Sequence, residues 1–295
     1  MKRIKILFTL SVAILSLISV NSNAQGFYIE AGSGYGWKAA SQSIGDNYSF
    51  TNSGSTFSSS DQNVKGSFGA GWNFGGAFGY MFSEHIGAEL GISYLSGSNI
   101  QLTNNTNDVG NYSTSRTITI SGSMLRLNPT IKIGGEPGRI TPYIKVGLVI
   151  GISPSITITN DSTYSYSTFY PTVTTIDTVV AQTNKLSGGT SFGFSVALGA
   201  DVRLNNLISL YGEIGMIGQT YAPTSGTLTS YTKDGADQLS TMTTSQKQIT
   251  YVDSYTTSSS APTNAALPSQ QLKVYEPFSS WGINIGVHLT FGGNK

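Results

Sequence analysis

The sequence of 295 residues contains no cysteine and two histidines, and charged residues make up only 11% of it. The absence of cysteine excludes disulfides, a lipid-modified cysteine anchor and thiolate metal sites. A charged fraction well below the roughly 25% of soluble domains indicates that little of the surface is built to face water. The net charge of +1 provides no basic field that would attract nucleic acid.

Long apolar runs are also absent after residue 24, so no helical membrane span is expected there. Before that point, three basic residues within the first five positions are followed by an apolar run at 6–20 and by Ser22-Asn23-Ala24. This order predicts a secretory signal peptide over residues 1–24, cleaved before Gln25, and therefore export. We expect residues 25–295 to form a single domain.

Eight segments alternate large apolar residues with small or polar ones, which is the pattern of β-strands with one apolar face. In each segment the apolar positions carry no charge over about the 9 to 11 residues that a tilted strand needs to cross a bilayer. The segments are 26–37, 67–82, 86–95, 124–133, 140–153, 191–204, 207–217 and 280–291.

The connections between these segments alternate in length. Those at 83–85, 134–139 and 205–206 are short, and those at 38–66, 96–123, 154–190 and 218–279 are long. The short connections therefore all lie at one end of the set of strands, and an even strand count places both chain ends there as well. This arrangement matches periplasmic turns and extracellular loops.

One irregularity precedes the fourth segment, where Ile118 and Ile120 have the opposite parity to Leu125 and Leu127. We interpret this switch as a β-bulge or as an extension of the strand beyond the membrane.

The apolar face could point outward to lipid or inward, as in a soluble lipocalin-like barrel. An eight-stranded barrel is only just wide enough for its own side chains, and these faces carry long runs of Phe, Trp, Ile and Leu. The opposite parity is rich in glycine, which suits a crowded lumen. The apolar face therefore points to lipid, with interfacial aromatics near the strand ends. These are Trp37, Trp72, Tyr80, Tyr94, Trp281 and Phe291.

The chain resembles the small bacterial outer-membrane β-barrels of the OmpA transmembrane-domain, OmpX and OmpW type. The resemblance covers residues 26–291 and lies in the architecture and in strands such as Ile208-Ser-Leu-Tyr-Gly-Glu-Ile214 and Gly286-Val-His-Leu-Thr-Phe291. It implies an all-β fold, an eight-stranded antiparallel up-and-down transmembrane barrel in the outer membrane of a Gram-negative cell. It also implies outer-membrane lipid and the barrel-assembly machinery as partners.

Charged residues occupy the predicted lumen parity in equal numbers. Four pairings follow from neighbouring strands: Glu89 with Arg126 or Lys132, Lys145 with Asp201, Arg203 with Glu213, and Glu30 near His288. The full set is Glu30, Glu89, Arg126, Lys132, Lys145, Asp201, Arg203, Glu213 and His288. A paired set that plugs the lumen is favoured over a gated pore, because unpaired charge in a narrow lumen is expensive.

Catalysis is not expected, although lipid-modifying enzymes occur on small outer-membrane barrels. A serine mechanism needs a histidine base, and His85 and His288 both fall near the short-turn rim, away from the outer leaflet. No metal or cofactor is expected either.

The expected function is therefore that of a non-enzymatic envelope protein whose Ser/Thr/Tyr-rich loops contact an extracellular ligand or surface. The alternative is a narrow porin-like or OmpW-like channel for small or hydrophobic solutes. A lipid-modifying enzyme is the third and least favoured class.

Overall fold

The computed structural model describes residues 26–39, 42–108, 112–168, 174–256 and 264–291. The predicted signal peptide lies outside the described residues. Their strands are β1 (Gly26–Lys38), β2 (Gln42–Asn52), β3 (Phe57–Gly66), β4 (Gly71–Met81), β5 (Ile86–Gly97), β6 (Ile100–Asp108), β7 (Tyr112–Gly134), β8 (Ile140–Thr168), β9 (Thr174–Ser187), β10 (Ser191–Arg203), β11 (Ile208–Tyr221), β12 (Ser225–Lys233), β13 (Ala236–Asp237), β14 (Gln248–Val252), β15 (Ser269–Leu272), β16 (Glu276–Pro277) and β17 (Ser280–Phe291).

Helical structure within the described ranges is limited to a 3₁₀ turn at Leu239–Thr241 and one short helix, α1, at Thr244–Lys247. Across these same ranges, no helix is long and apolar enough to span a membrane.

Eight of the strands form a closed antiparallel ring. Strand β1 pairs with β4, and the ring continues through β5, β7, β8, β10, β11 and β17, which pairs back with β1. The all-β prediction is confirmed, and each predicted segment overlaps one ring strand, although β7 and β8 extend well beyond their segments. The predicted count of eight strands is wrong, because the described residues contain seventeen.

The remaining strands come from the long connections. Strands β2 and β3 form a hairpin, and β2 also pairs in parallel with β6. On the other side β9 pairs with β8, β12 with β9, and β14 with β12. The predicted loops are therefore largely folded into a sheet beyond one end of the ring, which we call the loop end; the end with the short turns is the turn end.

The interior changes from polar to apolar along β7, whose even-numbered side chains point inward from Ile118 to Lys132. Lys132 and Arg126 are buried toward the turn end, and Met124 and Ile120 are buried toward the loop end. Ile118 and Ile120 therefore continue the inward face, and the predicted extension of this strand is what the structure shows.

The predicted bulge lies on β8 instead. The register of β7 against β8 shifts between Ser123 and Leu125, and Ser153 has a φ of 50°. After this irregularity the inward parity of β8 switches, so that Ile156 is buried.

Two aromatic side chains close the interior at the loop end. Residues 67–70 precede β4 and turn inward, and the Phe68 amide donates to the Pro277 carbonyl at 2.8 Å. The rings of Phe68 and Phe278 lie 5.7 Å apart, and both are almost completely buried. We call these two side chains the mouth plug. They belong to an apolar core with Leu95, Leu102, Ile120, Met124, Ile156 and Tyr221.

The outer surface of the ring carries an exposed apolar belt with aromatics at both ends. Trp37 stacks on Trp281 at 4.8 Å at the loop end, and Phe27 contacts Tyr80 at 4.7 Å at the turn end. The six predicted interfacial aromatics divide between these two levels. Trp37, Trp72, Tyr94 and Trp281 lie toward the loop end, and Tyr80 and Phe291 lie toward the turn end.

Candidate functional site

Seven ring strands each direct one ionisable side chain into the interior at a similar level. We call this set the lumen charge network; strand β4 contributes only Ala77, opposite Glu30, and Gly79, opposite Glu89. Its members are Glu30 (β1), Glu89 (β5), Lys132 (β7), Lys145 (β8), Asp201 (β10), Glu213 (β11) and His288 (β17). The period-2 alternation of each strand points these side chains inward.

Lys145 is the cation with the most partners in the network. Its Nζ lies 2.6 Å from Glu30 Oε2, 2.8 Å from Glu213 Oε1 and 3.1 Å from Glu89 Oε1. Only 9% of its side chain is exposed, so these three carboxylates replace its hydration. None of them lies on a strand next to β8.

The second cation, Lys132, lies in the half of the network that contains Asp201 and His288. Its Nζ lies 3.1 Å from both Glu30 Oε1 and Asp201 Oδ2. His288 Nδ1 lies 3.2 Å from Glu30 Oε1 and 3.5 Å from Asp201 Oδ1. Glu30 therefore contacts both lysines and the histidine, and it connects the two halves.

Tyrosines form a shell around these charges. Tyr28 donates to Glu89 at 2.7 Å and Tyr143 donates to Glu213 at 2.9 Å. Lys132 Nζ lies 4.1 Å from the Tyr143 ring centroid, a cation–π distance.

These tyrosines were not among the site residues predicted from the sequence. They can be recognised from the pairing register of neighbouring strands, which places each lumen tyrosine directly opposite a glycine of the next strand. The pairs are Tyr28 with Gly79, Tyr143 with Gly199, and Tyr211 with Gly286. A methyl group at Gly79 or Gly199 would overlap the facing ring, so these glycines make room for the tyrosines.

Arg126 is separate from the network. It is completely buried and donates to Gln219 Oε1 at 3.0 Å, to Asn73 Oδ1 at 3.3 Å and to the Phe278 carbonyl at 3.3 Å. No described carboxylate forms an ion pair with it. The predicted pairing of Arg126 with Glu89 is therefore wrong, and Arg126 instead fixes the backbone of the mouth plug.

Arg203 also lies outside the network. It is the last residue of β10 and its side chain is exposed at the turn end, so the predicted pair with Glu213 is wrong. The predicted pairs Lys145–Asp201 and Lys132–Glu89 are wrong as well, because these partners are exchanged. The contact expected between Glu30 and His288 is present.

The network consequently holds unequal numbers of charges. Four carboxylates face two ammonium groups and one imidazole, whereas the sequence predicted equal numbers. The two arginines that would have completed the balance lie at the plug and at the rim.

A cavity of about 190 Å³ lies inside the ring. Glu30, Glu89, Lys145 and Glu213 contribute to its wall, and Asn73, an acceptor for Arg126, lines it as well. Toward the loop end, Arg126 joins this level to the mouth plug through the Phe278 carbonyl. The interior thus has a charged layer, a small cavity and an apolar plug.

Neither histidine lies at the loop end. His85 is exposed in a short turn, with Nδ1 3.3 Å from the Gly135 carbonyl, and His288 belongs to the charge network.

Residues 10–229 match the family described as outer membrane protein beta-barrel domain. These 220 residues (229 − 10 + 1) are about three quarters of the 295. The chain belongs to this outer-membrane β-barrel family. The match begins within the predicted signal peptide and ends before β17, the strand that completes the ring. No match to a curated protein was found.

Proposed function

We propose that the chain crosses the outer membrane as an eight-stranded antiparallel barrel and has a non-enzymatic role in the envelope. The family and the closed ring support the barrel, and the belt of exposed apolar side chains supports the lipid contact. In this proposal the turn end faces the periplasm and the loop end faces the medium. Residues 1–24 are removed on export, so N-terminal sequencing of the envelope protein should begin at Gln25.

The proposal of a barrel that conducts no solute is supported by two obstructions of its interior. The charge network connects seven of the eight ring strands, and the mouth plug closes the loop end above it. The charge network is anchored by contacts between strands that are distant in the ring, and the backbone of the plug is held by Arg126 of β7. A solute would have to displace both.

The extracellular sheet supports a role in surface contact. The ends of β7 and β8 carry exposed tyrosines, Tyr112, Tyr164 and Tyr166, among serines and threonines. Tyrosine with small polar residues makes an adaptable contact surface at low entropic cost. We propose that this surface binds an extracellular ligand or another surface.

A narrow channel is the second candidate, and the cavity between the two obstructions favours it. The test is solute flux into liposomes that contain the purified protein, with a general porin as the positive control. We expect the wild-type protein to exclude sugars. Porin-like flux through the wild-type protein would replace the closed barrel with the channel.

The double variant Phe68→Ala/Phe278→Ala separates the two obstructions. If the charge network closes the lumen by itself, this variant remains impermeable, as does the control Phe57→Ala, which alters a phenylalanine that is 78% exposed.

The absence of catalysis remains a proposal that rests on the positions of His85 and His288. Lipid A incubated with the protein should be unchanged. Deacylation that is lost in His288→Ala would establish an enzyme instead.

A further inference from the structure

Three potential metal ligands meet where the ring closes. Glu30, Asp201 and His288 each place a ligand atom within 4.8 Å of the others. Glu30 and His288 lie directly opposite each other on β1 and β17, the first and last strands of the ring. Asp201 reaches them from β10, so the three residues come from distant parts of the sequence, and no local spacing could reveal them.

The histidine nitrogen has no hydrogen-bond partner among the described residues, although it is buried. His288 Nδ1 lies 3.2 Å from Glu30 Oε1 and 3.5 Å from Asp201 Oδ1, but neither contact has hydrogen-bond geometry, and Asp201 Oδ1 is also without a partner. Buried polar atoms are nearly always satisfied. A further group between these atoms would satisfy both.

The charge of the network favours a cation in that place. Four carboxylates face two lysines, so negative charge is in excess whether His288 is neutral or protonated. Uncompensated buried charge is strongly unfavourable. One divalent cation would cancel the excess while the imidazole remained neutral, as a metal ligand must be.

We propose that Glu30, Asp201 and His288 bind a divalent transition-metal cation of the zinc type. Zinc binds imidazole nitrogen and carboxylate oxygen at about 2.0–2.2 Å with tetrahedral geometry, which places neighbouring ligands about 3.4 Å apart. The measured separations of 3.2 and 3.5 Å from His288 Nδ1 match that spacing. The metal would join both closing strands to β10.

Lys132 sets the affinity of this site. The Lys132 Nζ contacts Glu30 Oε1, an oxygen that the metal would also bind. On Asp201 the lysine contacts Oδ2, so that Oδ1 is left for the metal. The neighbouring ammonium repels a cation, so its removal should strengthen binding. Lys132→Met is therefore expected to bind zinc at least about tenfold more tightly than the wild-type protein.

The test is titration of the folded, detergent-solubilised protein with ZnCl₂ by calorimetry and with CoCl₂ by visible absorption. The only other histidine, His85, is exposed in a turn, so His85→Ala is a matched control. We expect the wild-type protein and His85→Ala to bind a single ion per chain and to show the absorption of cobalt with nitrogen and oxygen ligands. His288→Gln should lose at least about tenfold in affinity.

Each variant is first shown to be folded by its unboiled migration on SDS gels. If His288→Gln is not folded, Asp201→Asn takes its place and should show the same loss. The proposal is overturned if the wild-type protein binds neither ion, if His85→Ala abolishes binding, or if folded His288→Gln binds as the wild-type protein does. It is also overturned if Lys132→Met binds zinc less tightly.

Discussion

Lys145 and Glu30 are joined across the ring interior, with Nζ 2.6 Å from Oε2, although they lie on strands that are not neighbours. Lys145 is shared by three carboxylates, and Glu30 is shared by both lysines and His288. The network is therefore one connected unit, and the loss of either residue leaves several buried charges without partners.

Lys145→Met should lower the free energy of unfolding by about 3–5 kcal/mol, the usual cost of breaking a buried ion pair from one side. The measurement is the urea dependence of the folded band on SDS gels. The control is Lys273→Met, because Lys273 pairs with Asp253, whose side chain is 82% exposed, and such pairs contribute at most about 1 kcal/mol. Equal losses for the two variants would mean that the network does not stabilise the ring.

Gly79→Ala should destabilise the protein by about 1–3 kcal/mol, since a methyl group would overlap the buried Tyr28 ring and overpacking has this cost. The ring cannot move freely because it stacks on His288 at 4.6 Å. Gly212→Ala is the control, as nothing lies within 4 Å of its added methyl group. Urea midpoints measure both. Combination of Gly79→Ala with Tyr28→Ala should cost less than the sum of the single changes; strict additivity would contradict the contact.

The inward direction of the network residues could be predicted, because a strand's period of two assigns each side chain to a face. The ion-pair partners of these residues could not be predicted. Neighbouring strands were expected to pair their charges, but Lys145 and Lys132 both contact carboxylates on non-neighbouring strands. In a ring this narrow, long side chains meet across the interior, and that geometry depends on the stagger of all eight strands.

The strands at the loop end were missed for a different reason. Strand β3 is polar and almost entirely exposed, so it has no apolar alternation to mark it. Its hydrogen bonds to β2, rather than a buried face, define it as a strand. Phe68 and Phe278 were missed as plug residues because their inward turns occur at strand ends, where periodicity carries no information.

Phe278→Ala should cost about 3–5 kcal/mol, the range for removal of a buried phenylalanine. Its ring lies against Phe68 and against Tyr221, at 5.7 and 5.8 Å. Phe57→Ala, at an exposed position, should change stability little. Both are compared by urea unfolding and by protease sensitivity of the sheet at the loop end. A fully stable Phe278→Ala protein would show that the mouth plug is not part of a packed core.

Ile285→Arg should impair membrane insertion, because Ile285 is 63% exposed on the outer face of β17, about midway between the aromatic levels at Trp281 and Phe291. An arginine at the bilayer midplane of a barrel costs about 2–4 kcal/mol. Ser59→Arg, on the exposed strand β3, places the same side chain outside the proposed membrane region and should insert normally. Folding yield into lipid vesicles measures the difference. Because a soluble barrel would accept an arginine on its outer surface, equal yields would contradict the assignment of this face to lipid.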